Sequence, residues 1–407
     1  MMVDRKLNVE INADDLMEMI HHLSVEIGPR HPTSRAEREA AEYVYQTIST
    51  IKGERWELIE QPFRSVDGFR YRTAPLGLLA GLVQLFGLRQ DRQSQFVSGV
   101  VSVGLSIMLR DAFLGRSSVW EAWMPRGESQ NVIVRIPPRH KATRRVVYMA
   151  HLDSGVSRIT THPRIVRELP RTYGILTVFA LVGGVLTALS GKNQRWRTIR
   201  SLIGGGELVS SALSVLDEMG PNIAGANGNA SGVAVLLGLA DTLRQRALDN
   251  TEVVLVFTGA ETAVSTGAEA LVTEYGKAWE DALWVVVSNV GQGELCWVTR
   301  HGISPYAHYH PHPDAVRVME RVAEVRPDLG LMGKEMLTVD EAALLWDRDL
   351  QVVALMGYDR VTGAIPNWRQ NSDTIHEIDT ATLERAAHTV WTTARVVDQA
   401  DEWPLVP

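Results

Sequence analysis

Four short motifs bring a histidine and several acidic or amide side chains to the ends of predicted strands. They read His151-Leu-Asp153-Ser, Gly225-Ala-Asn-Gly228-Asn-Ala-Ser-Gly232, Gly259-Ala-Glu261-Thr262 and Asn289-Val-Gly-Gln-Gly293. A fifth, weaker motif follows later in the chain, Asn367-Trp-Arg369-Gln-Asn-Ser-Asp373-Thr. Imidazole and carboxylate groups are what a two-metal hydrolase needs, as ligands and as the base that takes a proton from water. Whether these residues make one site depends on the elements that carry them.

The order of predicted elements favours an α/β fold with a mixed, mostly parallel central sheet flanked by helices. Short β-branched runs predict strands at 132–136, 145–150, 252–257, 283–288 and 352–356. Helical stretches are predicted at 14–50 (two helices broken at Gly28-Pro), 230–245, 263–277, 313–325, 340–348 and 379–399. Sites in open α/β sheets form at the carboxyl ends of strands, so His151, Glu261 and Asn289 are expected at one rim.

The composition of the chain excludes few classes of protein function. The 407 residues carry a net charge of -7 with no basic block, which gives no hint of a nucleic-acid partner. A single cysteine, Cys296, rules out an internal disulfide and a cysteine-based zinc site. The polar N-terminal residues show no cleavable signal peptide, so we expect a cytoplasmic or membrane-associated protein.

Two hydrophobic stretches interrupt the α/β pattern. Residues 73–88 and 93–109 are free of charge, and so are residues 172–191, which a weaker apolar stretch at 202–216 follows. We interpret them as two inserted helical hairpins, 73–115 and 172–220, in an α/β domain made of 1–72, 116–171 and 221–407. Only the stretch 172–191 is predicted to be long enough to span a bilayer.

The hairpins leave two alternatives open, a hydrophobic cap packed on itself or on a second subunit, and a module that contacts a membrane. Both hairpin links are basic, which would place the links on the cytoplasmic side if the helices spanned. Because that topology would export the α/β domain, the sequence favours membrane association over spanning.

The ordered motifs resemble the co-catalytic zinc exopeptidase family, which includes bacterial leucyl aminopeptidases, glutamate carboxypeptidase, glutaminyl cyclase and the transferrin receptor ectodomain. The resemblance runs from Gly28-Pro-Arg30 to the final helix, apart from the hairpins. It implies a zinc exopeptidase-like three-layer sandwich. It also implies that His151 is a metal ligand, that Asp153 supports this ligand and that Glu261 is the general base.

The chain departs from the family at most of the metal ligands. The family's bridging Asp falls on Gly228, its second Glu on Thr262, its later Asp on Asn289 and its late His on Arg369. Glycine offers no ligand atom, threonine and neutral asparagine bind zinc weakly, and a protonated guanidinium cannot ligate. We therefore expect no zinc cofactor, with His151 and Glu261 as vestiges. Arg369 is predicted to pair with Glu261 or Asp153 in place of the lost metals.

Other readings of these residues are weaker. His308-Tyr-His310-Pro-His312 has three imidazoles at alternate positions that could bind a metal, and His376 could replace the late histidine. A serine nucleophile at Ser154 or Ser265 lacks the usual Gly-x-Ser-x-Gly surroundings. Structural roles in capping and hydrogen bonding also suit the retained motif residues.

The sequence thus predicts a catalytically inactive peptidase-like protein that binds a protein or peptide in its former active-site cleft. The alternative is an active metallo-aminopeptidase with zinc in a remodelled site, which the retained Glu261 favours. A third hypothesis makes the chain a regulatory partner of an active relative, with a homo-oligomer or membrane contact through 73–115 and 172–220.

Overall fold

A nine-stranded sheet forms the centre of the molecule in the computed structural model, which describes residues 11–86, 88, 91–113, 123–189, 194–304 and 307–400. The strands are β1 (Glu57–Ser65), β2 (Gly127–Ile136), β3 (Arg144–His151), β4 (Thr251–Thr258), β5 (Leu283–Val287), β6 (Glu294–Ser304), β7 (Ala307–Tyr309), β8 (Met332–Met336) and β9 (Val352–Tyr358).

The sheet is parallel at its centre and antiparallel toward its edges. Its order is β1-β2-β4-β3-β5-β9-β6-β7, and β8 pairs with β6. Strands β4, β3, β5 and β9 run parallel to one another. Their carboxyl ends therefore meet at one edge of the sheet, which is where ligand sites form in such folds.

Twelve α-helices lie among the described residues. They are α1 (Ala13–His21), α2 (Arg35–Ile51), α3 (Arg70–Phe86), α4 (Arg92–Phe113), α5 (Leu169–Leu189), α6 (Gln194–Asp217), α7 (Ser231–Gln245), α8 (Glu261–Val264), α9 (Thr266–Tyr275), α10 (Pro313–Val325), α11 (Glu341–Trp346) and α12 (Thr380–Gln399).

Two apolar cores cover the two faces of the sheet. Side chains of α1, α2, α7, α10 and α12 pack with alternate residues of the central strands on one face. Side chains of α9 and α11 pack on the other face. The central strands are buried on both sides, which explains their nearly continuous apolar sequence. The predicted three-layer α/β sandwich is confirmed.

The hydrophobic insertions form helices α3 to α6, as predicted. Helix α3 packs against α4 and α6, and α5 packs against α4 and α6, so the four helices make a closed ring. The prediction that only one of them reaches about 20 residues was wrong, because α4, α5 and α6 have 22, 21 and 24 residues. Gln84 in α3 and Glu207 in α6, polar residues within these apolar stretches, are buried and bond to each other inside the ring, so both helices continue through them.

One helix segment in the described part of the chain, Thr198–Asp217 of α6, is long and apolar enough to cross a membrane.

Candidate active site

The ends of three parallel strands bring the sequence motifs together. His151 is the last residue of β3 and pairs in register with Thr258, the last residue of β4. Glu261 begins α8 directly after β4, and Asn289 follows β5. These three side chains line one cleft of about 400 Å³, its open mouth included. The sequence analysis therefore placed them at the correct edge.

Asp153 is a fully buried anchor rather than a free ligand. Its Oδ1 accepts a hydrogen bond from the Glu261 backbone N–H at 3.0 Å. Its Oδ2 accepts one from the Thr262 backbone at 2.8 Å and one from the Thr262 hydroxyl at 2.6 Å. Burial opposes the charge of Asp153, but His151 and these donors outweigh it and lower its pKa to about 2. The carboxylate thus ties the end of β3 to the start of α8.

His151 and Glu261 face each other in the floor of the cleft. The His151 Nδ1 lies 3.0 Å from the backbone oxygen of Asp153, and its Nε2 lies 3.8 Å from Glu261 Oε2. Burial opposes protonation of His151, but the Glu261 and Asp153 charges raise its pKa to about 9. Burial raises the pKa of Glu261, and the charges of His151 and Arg369 oppose this shift. The positive charge of protonated His151 and the negative charge of Glu261 therefore offset each other.

The position of the family's bridging carboxylate is filled by its neighbours. A Cβ atom on Gly228 would lie 2.7 Å from Asn289 Oδ1 and 3.4 Å from Asp373 Oδ2. Asp373 accepts hydrogen bonds from the backbone of Asn227 and Gly228 at 2.7 and 3.1 Å. Burial raises the pKa of Asp373 to about 6, although these donors oppose the shift. A larger residue at position 228 would have to displace Asn289.

Arg369 extends into the cleft from the loop before α12. Its Nη2 donates to the backbone oxygen of Thr262 at 3.4 Å, and its guanidinium packs against Gly155. Its charge acts on Glu261 and Asp153, but the described ion pairs contain no direct contact with either carboxylate. The predicted position near Glu261 and Asp153 is therefore correct, while the predicted direct pairing was wrong. Thr262 holds Asp153 through its own hydroxyl, so Arg369 reaches the Thr262 backbone instead.

Two acids at the start of α11 complete the acidic side of the site, and the sequence analysis missed both. Asp340 lines the cleft and caps α11 by accepting a hydrogen bond from the Ala342 backbone at 2.9 Å. Glu341 is fully buried; its carboxyl oxygens meet no full hydrogen-bond geometry in the described part of the chain, and the Thr258 hydroxyl is the polar group that acts on them. Burial raises the pKa of Glu341 to about 8, His151 opposes the shift and Glu261 adds to it.

We expect Glu341→Gln to be more stable than the parent protein at alkaline pH. The folded pKa of Glu341 lies above its ordinary value of 4.5, so its stabilising contribution is complete below pH 4.5 and is lost as the pH rises through about 8. Glutamine cannot ionise, so the variant should match the parent near pH 5. At pH 9 it should unfold with a free energy several kcal/mol higher, at most about 5 kcal/mol, since the pKa rises from 4.5 to about 8 and one pKa unit corresponds to about 1.4 kcal/mol. Denaturant unfolding at both pH values, with Glu320→Gln on the exposed side of α10 as control, would detect this, and equal curves at pH 9 would contradict it.

The other candidates from the sequence do not form a second site. His308 contacts Arg300, the His310 ring lies 3.3 Å from the Thr299 backbone oxygen, and His312 caps α10, so the three imidazoles serve different neighbours. His376 is exposed and is absent from the cleft lining. Ser154 is buried, where its hydroxyl donates to the Ile223 backbone oxygen at 2.8 Å.

The donor set does not fit a pair of zinc ions. The described residues offer one group of three possible ligands, whose candidate atoms lie within 4.8 Å of one another: His151, Asp153 and Glu261. Asp153 already uses both oxygens for three hydrogen bonds, which leaves two free donors. Two zinc ions need about four ligands each and a bridging carboxylate.

Several of the site residues hold unusual backbone conformations. Ala260, Asn289, Asn367 and Arg369 have φ angles between 50° and 55°, in the left-handed region that residues other than glycine rarely adopt. Such conformations persist only where the surrounding structure imposes them, and they cluster at functional sites. The site has therefore kept a specific geometry although its ligand residues differ.

Comparison with known proteins agrees with this fold and finds a partial match to a peptidase family. Residues 210–394, somewhat less than half of the chain, match the model of Peptidase family M28. No curated protein sequence matches the chain.

Solved structures with the same fold include an aminopeptidase from Aneurinibacillus sp. strain AM-1, with a TM-score of 0.57 and 13% identity over 97% of this chain and 96% of that chain. A zinc aminopeptidase from Bacillus subtilis gives a TM-score of 0.56 and 13% identity over 95% of both chains. A glutaminyl cyclase from Tannerella forsythia gives 0.54 and 15% identity over 97% of this chain and 100% of that chain. The resemblance to the zinc exopeptidase family is thus confirmed.

Proposed function

With the pattern of Peptidase family M28 on a zinc exopeptidase-like fold as the premise, we propose that this protein is a pseudopeptidase. It binds a peptide or a segment of a partner protein in the former active-site cleft, without two-zinc hydrolysis. The proposal rests on the residues that stand at the four positions where the chain departs from the family's metal ligands. Gly228, Thr262, Asn289 and Arg369 surround one cleft, and none of them offers the carboxylate or imidazole that a zinc pair needs.

Around these positions, contacts between protein groups hold the side chains in place without a metal ion. The Thr262 hydroxyl satisfies Asp153, and the Arg369 guanidinium occupies the wall opposite Glu261. The remaining polar groups suit a ligand that carries both charge signs. Arg369 offers a cation to a carboxylate, and Asp340, with one buried oxygen free of hydrogen bonds among the described residues, offers an anion to an amine.

A peptide terminus or a charged side chain has this chemistry, and Trp368 adds an aromatic surface to the cleft. The enclosed part of the cleft is only about 20 Å³, room for about one water molecule, so a peptide end would lie in the open mouth of the cleft.

A second candidate function has one specific observation in its favour. His151 and Glu261 point into the same cleft, where the group of three possible ligands could hold a single metal ion. In that case the protein would be a one-metal aminopeptidase, and Glu261 would act on a bound water as base.

Hydrolysis assays separate the two candidates. We expect the full-length protein to release no product from aminoacyl nitroanilides or dipeptides above the buffer rate, with or without added zinc. Glu261→Gln should then be indistinguishable from the parent. Zinc-stimulated turnover that Glu261→Gln abolishes would refute the pseudopeptidase and establish the one-metal enzyme.

Thermal-shift assays with three pools of tetrapeptides test ligand binding. The first pool has free ends, the second has N-acetylated ends and the third has C-amidated ends. We expect the unmodified pool to raise the melting temperature of the parent and to have no effect on Trp368→Ala. The matched control is Trp123→Ala, because Trp123 is exposed and lies outside the cleft. A shift that survives Trp368→Ala, or no shift with any pool, would contradict binding in this cleft.

A further inference from the structure

Helices α3 to α6 have an inverted distribution of polarity. Between their ends, the exposed side chains are almost entirely apolar, whereas a water-exposed helix would carry charges there. The large exposed side chains are Leu78, Leu79, Leu82, Phe86, Phe96, Val97, Val100, Val101, Ile107, Ile175, Val178, Leu181, Val182, Val185, Ile199, Leu202, Val209, Leu213 and Leu216.

Polar side chains lie instead in the interior of the four-helix ring. Gln84 of α3 donates to both carboxyl oxygens of Glu207 in α6, at 3.0 and 2.9 Å. Further buried polar side chains within the ring are Gln95, Ser98, Ser102, Ser106, Thr187, Arg200 and Ser211. A small apolar cluster of Leu76, Ala80 and Leu105 also lies inside the ring. Buried polar side chains beneath an apolar exterior are nevertheless the reverse of the pattern in a bundle folded in water.

The helices approach one another through small residues. A Cβ on Gly81 would lie 3.0 Å from the backbone oxygen of Gly204, and a Cβ on Gly99 would lie 2.7 Å from that of Gly184. Backbones this close are typical of helix packing in lipid, where small residues at the contact and buried polar side chains replace the hydrophobic effect as the source of association.

The apolar surface belongs to every helix of the ring. Each helix packs mainly against two neighbours in the ring, α3 with α4 and α6 and α5 with α4 and α6, and α5 also contacts β6 of the α/β domain. On all four helices, the described exposed side chains between the helix ends are almost entirely apolar. A second copy of the chain would cover one side of the ring and leave the others in water, whereas a lipid bilayer covers all sides.

Length and charge also match a bilayer. At about 1.5 Å per residue, the 22, 21 and 24 residues of α4, α5 and α6 measure about 31–36 Å, close to a hydrocarbon core of about 30 Å. Basic residues flank the helices at both ends and complement anionic lipid head groups. In the sequence, the two links within the hairpins contain Arg89, Arg92, Lys192, Arg195 and Arg197. The sequence segments that join the hairpins to the α/β domain contain Arg64, Arg70, Arg72, Arg110, Arg116, Arg164, Arg167 and Arg171.

We propose that α3 to α6 form a bundle embedded in a lipid bilayer, which fixes the α/β domain at the membrane surface. The larger number of arginines beside the α/β domain places that domain on the cytoplasmic side and the hairpin tips on the opposite side. This orientation reverses the expectation that the basic links gave by themselves, and it requires no export of the α/β domain. The proposal is independent of what the cleft binds.

Membrane extraction of the full chain tests the proposal. After expression in bacteria, we expect the protein in the membrane fraction, where it should resist alkaline carbonate and be released by detergent. A protein that carbonate releases would be held only at the surface. A detergent-free soluble particle, whether monomer or dimer, would equally overturn the proposal.

Substitutions separate lipid contact from simple exposure. Leu202 is 72% exposed on the outer face of α6, and Val361 is 83% exposed on the α/β domain. We expect Leu202→Asp to reduce the carbonate-resistant protein at least tenfold and Val361→Asp to leave it unchanged. If position 202 contacts water, both variants would behave like the parent, and the bilayer would be excluded as its environment.

Cysteine labelling in intact cells tests the orientation. The native Cys296 is buried, so a cysteine introduced at an exposed position is read against a low background. A membrane-impermeant maleimide should label Gln93→Cys at the tip of the first hairpin and spare Glu280→Cys on the α/β domain. Labelling of position 280 and protection of position 93 would contradict the proposed orientation.

Discussion

Replacement of Arg30 by methionine is expected to lower the free energy of unfolding by about 3–5 kcal/mol, because a buried guanidinium joins the segments that carry the site. Arg30 is inaccessible to solvent. It donates to five backbone oxygens at 2.7–2.9 Å, those of Leu23, Gly28, Leu152, Ala224 and Gly225. These oxygens belong to the end of the first helical segment, the start of the His151 motif and the Gly225 motif. Methionine fills most of the volume but leaves all five oxygens without this donor.

Thermal and denaturant unfolding of the full chain would measure this change. Arg35→Met is the matched control, since Arg35 is exposed and contacts only Glu39 within α2. Loss of that pair should leave the unfolding curve unchanged. Equal unfolding curves for Arg30→Met and the parent would show that the guanidinium does not organise the site.

Replacement of Asp153 by asparagine is expected to cost about 2–4 kcal/mol. The substitution keeps the shape but turns an amide N–H₂ toward donors that now bind a carboxylate, the backbone of Glu261 and both donors of Thr262. The folded pKa of Asp153 lies below its ordinary value of 3.8, at about 2, so its stabilising effect is present above about pH 4. The difference between the parent and Asp153→Asn should therefore shrink as the pH falls from 4 to 2.

Two further measurements check the origin of this effect. Thr262→Val removes only the hydroxyl bond to Asp153 and should cost about 1–2 kcal/mol, and the double variant should show less than the sum of both. The exposed Glu280→Gln serves as the charge control. The His151 pKa, followed by NMR, should fall in Asp153→Asn because one of the carboxylates that raise it has been neutralised. An unchanged His151 titration would contradict this coupling.

The sequence predicts the central fold because its signal is local. The buried strands β3, β4, β5 and β9 are continuous apolar runs, and α7, α10 and α12 carry clear periodic patterns. The edge strand β1 was not predicted, since it contains Pro62 and alternates with charged residues. Strand β6 was also missed, because its polar residues pair with two neighbours far away in the chain.

Site residues were predictable where a motif identified them and unpredictable where packing alone places them. His151, Glu261 and Arg369 line one cleft, as their motifs indicated, and Asp153 is buried beside His151 and Glu261. Asp340 and Glu341 belong to no motif, and they reach the site only because α11 begins beneath His151. A cap residue followed by an acid before an apolar run was the available signal, but it indicates a helix start rather than a ligand site.

The inverted polarity of α3 to α6 required the structure. Gln84, Ser102 and Glu207 look like interruptions of apolar sequence until their common direction toward the ring interior is known. This direction turns an apparent weakness of the helices into an argument for lipid around them.

Metal content per chain tests the central claim most directly. We expect elemental mass spectrometry of the untagged protein, purified in zinc-containing buffer and then desalted, to find less than about 0.1 zinc per chain. The one group of possible ligands found among the described residues has two uncommitted members, His151 and Glu261, and zinc needs about four ligands. His151→Ala should give the same value as the parent. One or two zinc ions per chain that His151→Ala or Glu261→Gln removes would contradict the metal-free site and make the protein a metallopeptidase with remodelled ligands.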